Sequence, residues 1–111
     1  MKLEKIYSLL DSLFKGKVFY GTNIYDNQDN AKMPYIVYQE ISRRPSLFFD
    51  DKPIRYTSNI QITLVSKKKD KELEEKLEKE LSKNDICFSL LSETHNSDRS
   101  VNRVYQIKME E

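Results

Sequence analysis

The chain has 111 residues, the length of one domain, and its 19 basic and 18 acidic residues leave a formal net charge of +1. This near balance argues against a dedicated nucleic-acid-binding domain, which usually carries a basic excess. No apolar run approaches the roughly 20 residues that a helix needs to cross a bilayer. The single cysteine, Cys87, cannot form an internal disulfide and fits folding in a reducing cytosol. We therefore expect a single domain over residues 1–111.

The first predicted element is an amphipathic helix over residues 2–15. Its apolar side chains recur at helical spacing, and they are Leu3, Ile6, Tyr7, Leu10, Leu13 and Phe14. Gly16 follows where a left-handed cap commonly ends a helix. Residues 18–20 could form a short strand. Residues 21–33 are rich in Asn and Asp, which favour turns, and predict a polar loop.

A long β-hairpin is predicted between the two helices of the chain. Residues 34–41 are apolar on both faces at their start, which indicates a central strand. Residues 54–65 alternate apolar and polar side chains, the clearest period-two pattern in the sequence. The intervening residues 42–53 show no such period and predict an irregular loop at the end of the hairpin.

The C-terminal half predicts a second helix followed by a closing hairpin. A leucine at every fourth residue marks a helix over residues 70–83, with Asp70 as its N-cap and Asn84 as its stop. Residues 86–91 and 103–109 predict two further strands. We therefore expect an α+β fold in which two helices pack on an antiparallel sheet of about four strands. The expected order is helix-strand-strand-helix-strand-strand.

The residue types of known catalytic and cofactor sites are scarce. Two glycines cannot build a P-loop or a dinucleotide-binding loop, and one histidine with one cysteine cannot build a Cys/His zinc site. Residues 26–30 faintly resemble a calcium loop but lack its Gly and terminal Glu. The adjacent Asp50 and Asp51 are more readily explained as solvated turn residues than as an acid–base pair. We expect no enzyme activity and no cofactor or metal.

Candidate binding residues concentrate in the 42–53 segment. Aromatic and Arg residues are enriched at the centres of protein interfaces, and this segment holds Arg43, Arg44, Leu47, Phe48 and Phe49. These side chains either contact another molecule or, for one of the phenylalanines, fold back onto the core. A second candidate is the basic corner Lys67, Lys68 and Lys69. It could contact DNA phosphate or an acidic partner, or it could simply be solvated.

Three segments, in their order along the chain, resemble a family of phage proteins. They are residues 34–41 (PYIVYQEI), residues 59–70 leading into the Glu/Lys/Leu helix, and residues 100–109 (SVNRVYQIKM). Together they resemble the small neck and tail proteins of long-tailed phages and prophages of Gram-positive bacteria. The resemblance is to the tail completion (head–tail joining) and tail terminator group in particular.

The resemblance implies a virion structural protein, located in the tail or neck and assembled in the cytoplasm of the bacterial host. It implies a homo-oligomeric ring, typically a hexamer, that contacts the head connector and the tail-tube protein. DNA would pass through the lumen of this ring without sequence-specific binding. A tail-side and a head-side role both remain open. The alternative function is a small intracellular adaptor that binds protein or nucleic acid through Arg43, Arg44 and the corner Lys67–Lys69.

Overall fold

The computed structural model describes residues 3–21, 34–97 and 99–110. The predicted loop over residues 21–33 lies, except for Gly21, outside these described residues. The elements, in chain order, are α1 (Leu3–Leu13), β1 (Val18–Tyr20), β2 (Tyr35–Phe49), β3 (Lys52–Ser66), α2 (Lys71–Lys83), β4 (Phe88–His95) and β5 (Val101–Glu110).

The described strands form one mixed sheet in the order β1-β2-β3-β5-β4. β1 pairs with β2 in parallel, and every other described pairing is antiparallel. The predicted α+β fold with an antiparallel sheet of about four strands is therefore wrong. Strand residues outnumber helix residues by about two to one. The predicted element order also omits β1, which precedes the hairpin. Three residues such as 18–20 are too few to show a period, so only their pairing with β2 identifies them as a strand.

Both helices contribute to one hydrophobic core on one face of the sheet. Residues Ile60, Ile62 and Leu64 of β3 are fully buried there, because alternate residues of a strand point to the same face. The intervening β3 residues on the other face, such as Gln61 and Thr63, are only half-buried. Each fully buried aliphatic side chain contributes about 2 kcal/mol relative to exposure. The remaining core residues include Ile6, Leu9, Leu10, Phe14, Ile36, Leu77, Leu81, Tyr105, Ile107 and Met109.

The end residues of α2 are those that the sequence predicted. The backbone N–H of Leu73 donates to Asp70 Oδ1 at 3.1 Å, which satisfies one free donor of the first turn. At the other end, the backbone N–H of Asn84 donates to the carbonyl oxygen of Glu80 at 3.3 Å. The helix therefore starts and stops at local hydrogen bonds that its own sequence supplies.

The hairpin of β2 and β3 is longer than predicted, and its turn is only two residues. The turn residues Asp50 and Asp51 have φ of 48° and 63°, a left-handed conformation that Asp tolerates better than most residues. The prediction of an irregular loop over residues 42–53 is therefore wrong, since most of that segment is strand. β-Bulges at Glu40/Ser42, Pro45/Leu47 and Leu47/Phe48 interrupt the alternation of side chains and hide the strand in the sequence.

The outer part of this hairpin extends beyond the rest of the sheet. The last residue of β5, Glu110, pairs with Thr57, which lies opposite Arg44. Residues 45–56 consequently pair only with each other among the described strands, and we call them the hairpin tip. The molecule measures 54 × 29 × 26 Å, and its radius of gyration is 15.2 Å, against about 13 Å for a compact chain of this length. The tip is thus a projecting two-stranded ribbon.

Candidate functional site

The hairpin tip carries the two most exposed large apolar side chains of the described residues, Phe49 and Phe48, and the exposed Leu47 beside them. Phe49 is 67% exposed, Phe48 57% and Leu47 44%. Neither phenylalanine folds back onto the core, so the structure removes the internal role that the sequence had left open. Large apolar side chains grouped at an exposed position mark surfaces that contact other molecules. The interface role of these residues stays a prediction, now with a defined location.

The basic side chains of this region lie at the base of the tip and along one face of it. The guanidinium of Arg43 lies 4.8 Å from the ring centroid of Tyr56, a cation–π contact within the hairpin. Arg44 lies opposite Thr57, and Leu47 lies opposite Arg55. Residues directly opposite each other share a face, and so do residues two apart on β3. Arg44, Leu47 and Arg55 therefore share one face of the hairpin.

Charged side chains lie at both ends of the hairpin tip. The two turn carboxylates, Asp50 and Asp51, are exposed at one end, and the exposed Arg44 and Arg55 lie nearer to the body of the molecule. None of these four side chains forms an ion pair with another described residue. Phe48 and Phe49 lie between the turn carboxylates and these two arginines, whereas Leu47 lies level with Arg55. The exposed Lys52 follows the turn on β3 and lies opposite Phe49.

The basic corner predicted at Lys67–Lys69 is only partly available to a partner. Lys67 and Lys68 are exposed. Lys69 instead donates to Glu74 Oε1 at 2.7 Å and to Glu93 Oε1 at 2.6 Å. These hydrogen bonds, that to Glu74 first, raise the pKa of Lys69. The positive charge of Lys69 is neutralised internally, which weakens the corner as a phosphate-binding surface.

A cluster of ion pairs between α2 and strands β4 and β5 was not predicted from the sequence. We define this α2 cluster as Lys69, Glu74, Glu78, Glu93, Arg103 and Tyr105. At its centre, Arg103 Nη1 donates to Glu93 Oε1 at 2.7 Å, and Arg103 Nη2 lies 3.4 Å from Glu78 Oε2. Arg103 Nε donates to the hydroxyl of Tyr105 at 2.6 Å, and that hydroxyl donates to Glu78 Oε2 at 3.1 Å. One arginine therefore connects a helix to two strands.

Glu74 is the buried member of the α2 cluster. It is 3% exposed, its Oε1 lies 3.6 Å from Arg103 Nη1, and its Oε2 has no hydrogen-bond partner among the described protein atoms. Burying a carboxylate costs free energy unless it is paired, so its pairing with Lys69 and Arg103 is needed to hold it there. A sequence signal for this residue existed, because Glu74 lies three residues before Leu77 on the buried stripe of the helix.

The protonation states in the α2 cluster follow from these contacts. The hydrogen bond from Lys69, followed by those from His95 and Arg103, lowers the pKa of Glu93 from 4.5 to about 2. Burial raises the pKa of Tyr105 from 10.0 to about 12. Glu93 is therefore ionised and Tyr105 neutral over the whole physiological range.

The chemistry available to the α2 cluster is that of a structural ion-pair network. Its side chains border an open groove of about 450 Å³, but its carboxylates are engaged by Lys69 and Arg103. In residues 3–21, 34–97 and 99–110, no group of three or more His, Cys, Asp or Glu side chains is placed to hold a metal ion. The arrangement explains how α2 is fixed to the sheet. Of the two surfaces, the hairpin tip is the stronger candidate for function.

Comparison with known proteins identifies no family for the chain. Among the described residues, no helix combines the length and the apolar character needed to span a membrane. No protein-family model matches the chain, and no curated protein shows significant similarity to it.

Proposed function

We propose that this chain is a structural assembly protein of the neck or tail top of a long-tailed phage. In this proposal it forms an oligomeric ring that completes the tail and joins it to the head connector. The observation that carries an assembly role is the hairpin tip, an exposed apolar ribbon that projects from the body. The phage setting is supported by the resemblance of residues 34–41, 59–70 and 100–109 to tail completion and terminator proteins.

The hairpin tip should be more stable when a partner covers it than when it is exposed to water. A two-stranded ribbon is marginally stable by itself in water. Burial of Leu47, Phe48 and Phe49 against a partner would stabilise the complex by about 1.5–3 kcal/mol for each fully covered side chain. A binding partner would therefore both order the ribbon and remove apolar surface from water.

The outer strand β4 supports the same proposal. It lies at one edge of the sheet that the described strands form, and most of its residues are exposed, including Leu90 at 46% and Leu91 at 50%. The unpaired backbone groups of an edge strand can pair with a strand of another copy. Repeated head-to-tail contacts of this kind close into a ring when the rotation between copies permits.

The test is electron microscopy of phage particles produced without this chain. Tailless heads, separate finished tails or overlong tails each support a role in the neck or tail top, and they distinguish head-side from tail-side action. Normal infectious particles contradict the proposal. Complementation with the double variant Phe48→Ser and Phe49→Ser should fail to restore infectious particles. The control Tyr7→Ser removes another exposed aromatic side chain, 43% exposed, from α1 and should restore them.

The alternative adaptor function is tested by its salt dependence. Binding to nucleic acid through the exposed Lys67, Lys68 and Arg44 should weaken steeply as salt rises, because phosphate contacts release counterions. Salt-sensitive binding to duplex DNA that Lys67→Glu with Lys68→Glu abolishes would favour the adaptor. The internal pairing of Lys69 argues against it.

A further inference from the structure

The hairpin tip has the charge pattern of a surface that is complementary to itself. Leu47 is three residues from the turn residue Asp50 and three from the base residue Arg44. The β-bulge at Pro45/Leu47 shortens the second separation to that of Thr57 and Arg55, which are two residues apart on β3. At about 3.3 Å per strand residue, Asp50 is about 10 Å and Arg44 about 7 Å from Leu47 along the ribbon. A second ribbon laid antiparallel across the first, with its centre between Leu47 and Phe48, places each Asp50 beside the Arg44 of the other copy.

We propose that the hairpin tip is a two-fold contact between two copies of this chain. Its apolar centre is formed by Leu47 and Phe48 from both copies, which share a face because they lie opposite Arg55 and Pro53. At each end, the turn carboxylate of Asp50 in one copy faces Arg44 of the other, and Arg55, opposite Leu47, borders the apolar centre. An isologous contact of this kind uses the same patch on both partners, so every charge pair occurs twice. Neither Asp50 nor Arg44 forms an ion pair with another described residue, which leaves both available for it.

This inference rests on the proposed function only in taking a second copy as the partner of the tip. A two-fold contact cannot by itself close a ring of more than two subunits. It is therefore a second interface beside any ring contact through the sheet edges. It covers the exposed Phe48 in the isolated protein.

The contact is tested by sedimentation velocity of the purified chain over a range of concentrations. The same measurement is made on variants in which one charge of the contact is reversed. The wild type should show a reversible monomer–dimer equilibrium. Arg44→Glu alone, and Asp50→Lys alone, should each raise the dissociation constant on the order of tenfold, because attraction becomes repulsion at two equivalent sites. An equimolar mixture of these two variants should dimerise about as tightly as the wild type. In the mixed pair, each contact again joins one acidic and one basic side chain.

Controls separate loss of contact from loss of fold. Asp50 has positive φ, where Lys is disfavoured, so the thermal unfolding of each variant is measured. Asp50→Asn keeps a residue that tolerates this conformation and should weaken the dimer less than Asp50→Lys. Phe48→Ser with Phe49→Ser should yield a folded monomer.

The outcomes for the two-fold contact and for the proposed function differ. A wild-type chain that stays monomeric, or a variant mixture that fails to dimerise although both variants fold, overturns the two-fold contact. An assembly that Arg44→Glu leaves unchanged also overturns it. If the mixture of Arg44→Glu and Asp50→Lys does not dimerise while Phe48→Ser with Phe49→Ser still blocks particle assembly, only the two-fold contact is wrong. If the mixture dimerises while phage particles made without the chain are normal, only the proposed phage function is wrong.

Discussion

Replacing Arg103 with Met should destabilise the fold markedly without touching the hairpin tip. The change removes the hydrogen bonds to Glu93 and Tyr105 and the ion pair with Glu78. Of the described residues, it leaves Lys69 as the one cation paired with Glu74. Breaking a buried ion pair by removing one partner costs 3–5 kcal/mol. Arg103 is 15% exposed at its side chain, and only Glu74 is truly buried, so the lower end, about 3 kcal/mol, applies.

Urea unfolding at neutral pH measures this loss, read from the far-ultraviolet circular dichroism. A loss of about 3 kcal/mol also lowers the melting temperature by roughly 10 °C for a domain of this size. The double variant Arg103→Met with Glu74→Leu serves as the control. Leu continues the apolar stripe of α2 and removes the buried carboxylate, so the double variant should recover about 2 kcal/mol of the loss.

Two results would refute this reasoning. A loss below about 1 kcal/mol for Arg103→Met would show that the α2 cluster behaves as an ordinary surface ion pair. A double variant less stable than Arg103→Met alone would show that the carboxylate of Glu74 does not depend on Arg103.

Three further predictions concern stability. Glu93→Gln should destabilise the protein at pH 7, and the difference should vanish as pH falls from 4.5 to about 2. Between these two pKa values the unfolded chain binds a proton at Glu93 that the folded protein does not, so the contribution of the ionised carboxylate is lost over that range. The free energy of unfolding of both proteins, measured against pH, tests this. The raised pKa of Tyr105 means that its contribution to stability is complete below pH 10 and declines as pH rises to about 12. The free energy of unfolding should therefore fall less steeply with rising pH in Tyr105→Phe than in the wild type. Equal slopes in the two proteins would contradict this assignment. Ile62→Ala should lower the free energy of unfolding in urea by about 3 kcal/mol, since Ile62 is fully buried. Thr63→Ala on the opposite face should lower it by under about 1 kcal/mol. Equal losses would contradict the assignment of faces.

Regular periodicity made some elements readable from the sequence. The alternation over residues 54–65 and the leucine spacing over residues 70–83 both correspond to elements of the structure, because each buries one continuous stripe on the core. The cap residues Asp70 and Asn84 were also predictable, since capping depends on hydrogen bonds within a few residues.

Where the pattern is broken, the sequence was misleading. The bulges that flank Pro45 shift the alternation of β2, so residues 42–49 read as a loop although they form a strand. Pro45 itself is tolerated because β2 has no described neighbour on its outer side at that point. The sequence placed the candidate residues Phe48 and Phe49 at the end of a long hairpin, but it did not show that β5 stops short of them.

The sequence by itself determined the two helices, the strand alternation of β3 and the apolar character of the segment that became the hairpin tip. These depend on local spacing and on residue type. Only the tertiary structure decided that Val18–Tyr20 pairs in parallel with β2, that Arg103 meets glutamates from α2 and β4, and that β5 stops short of the tip. Those features depend on contacts between residues distant in the chain, and no local pattern encodes which distant backbone or charge a residue will meet.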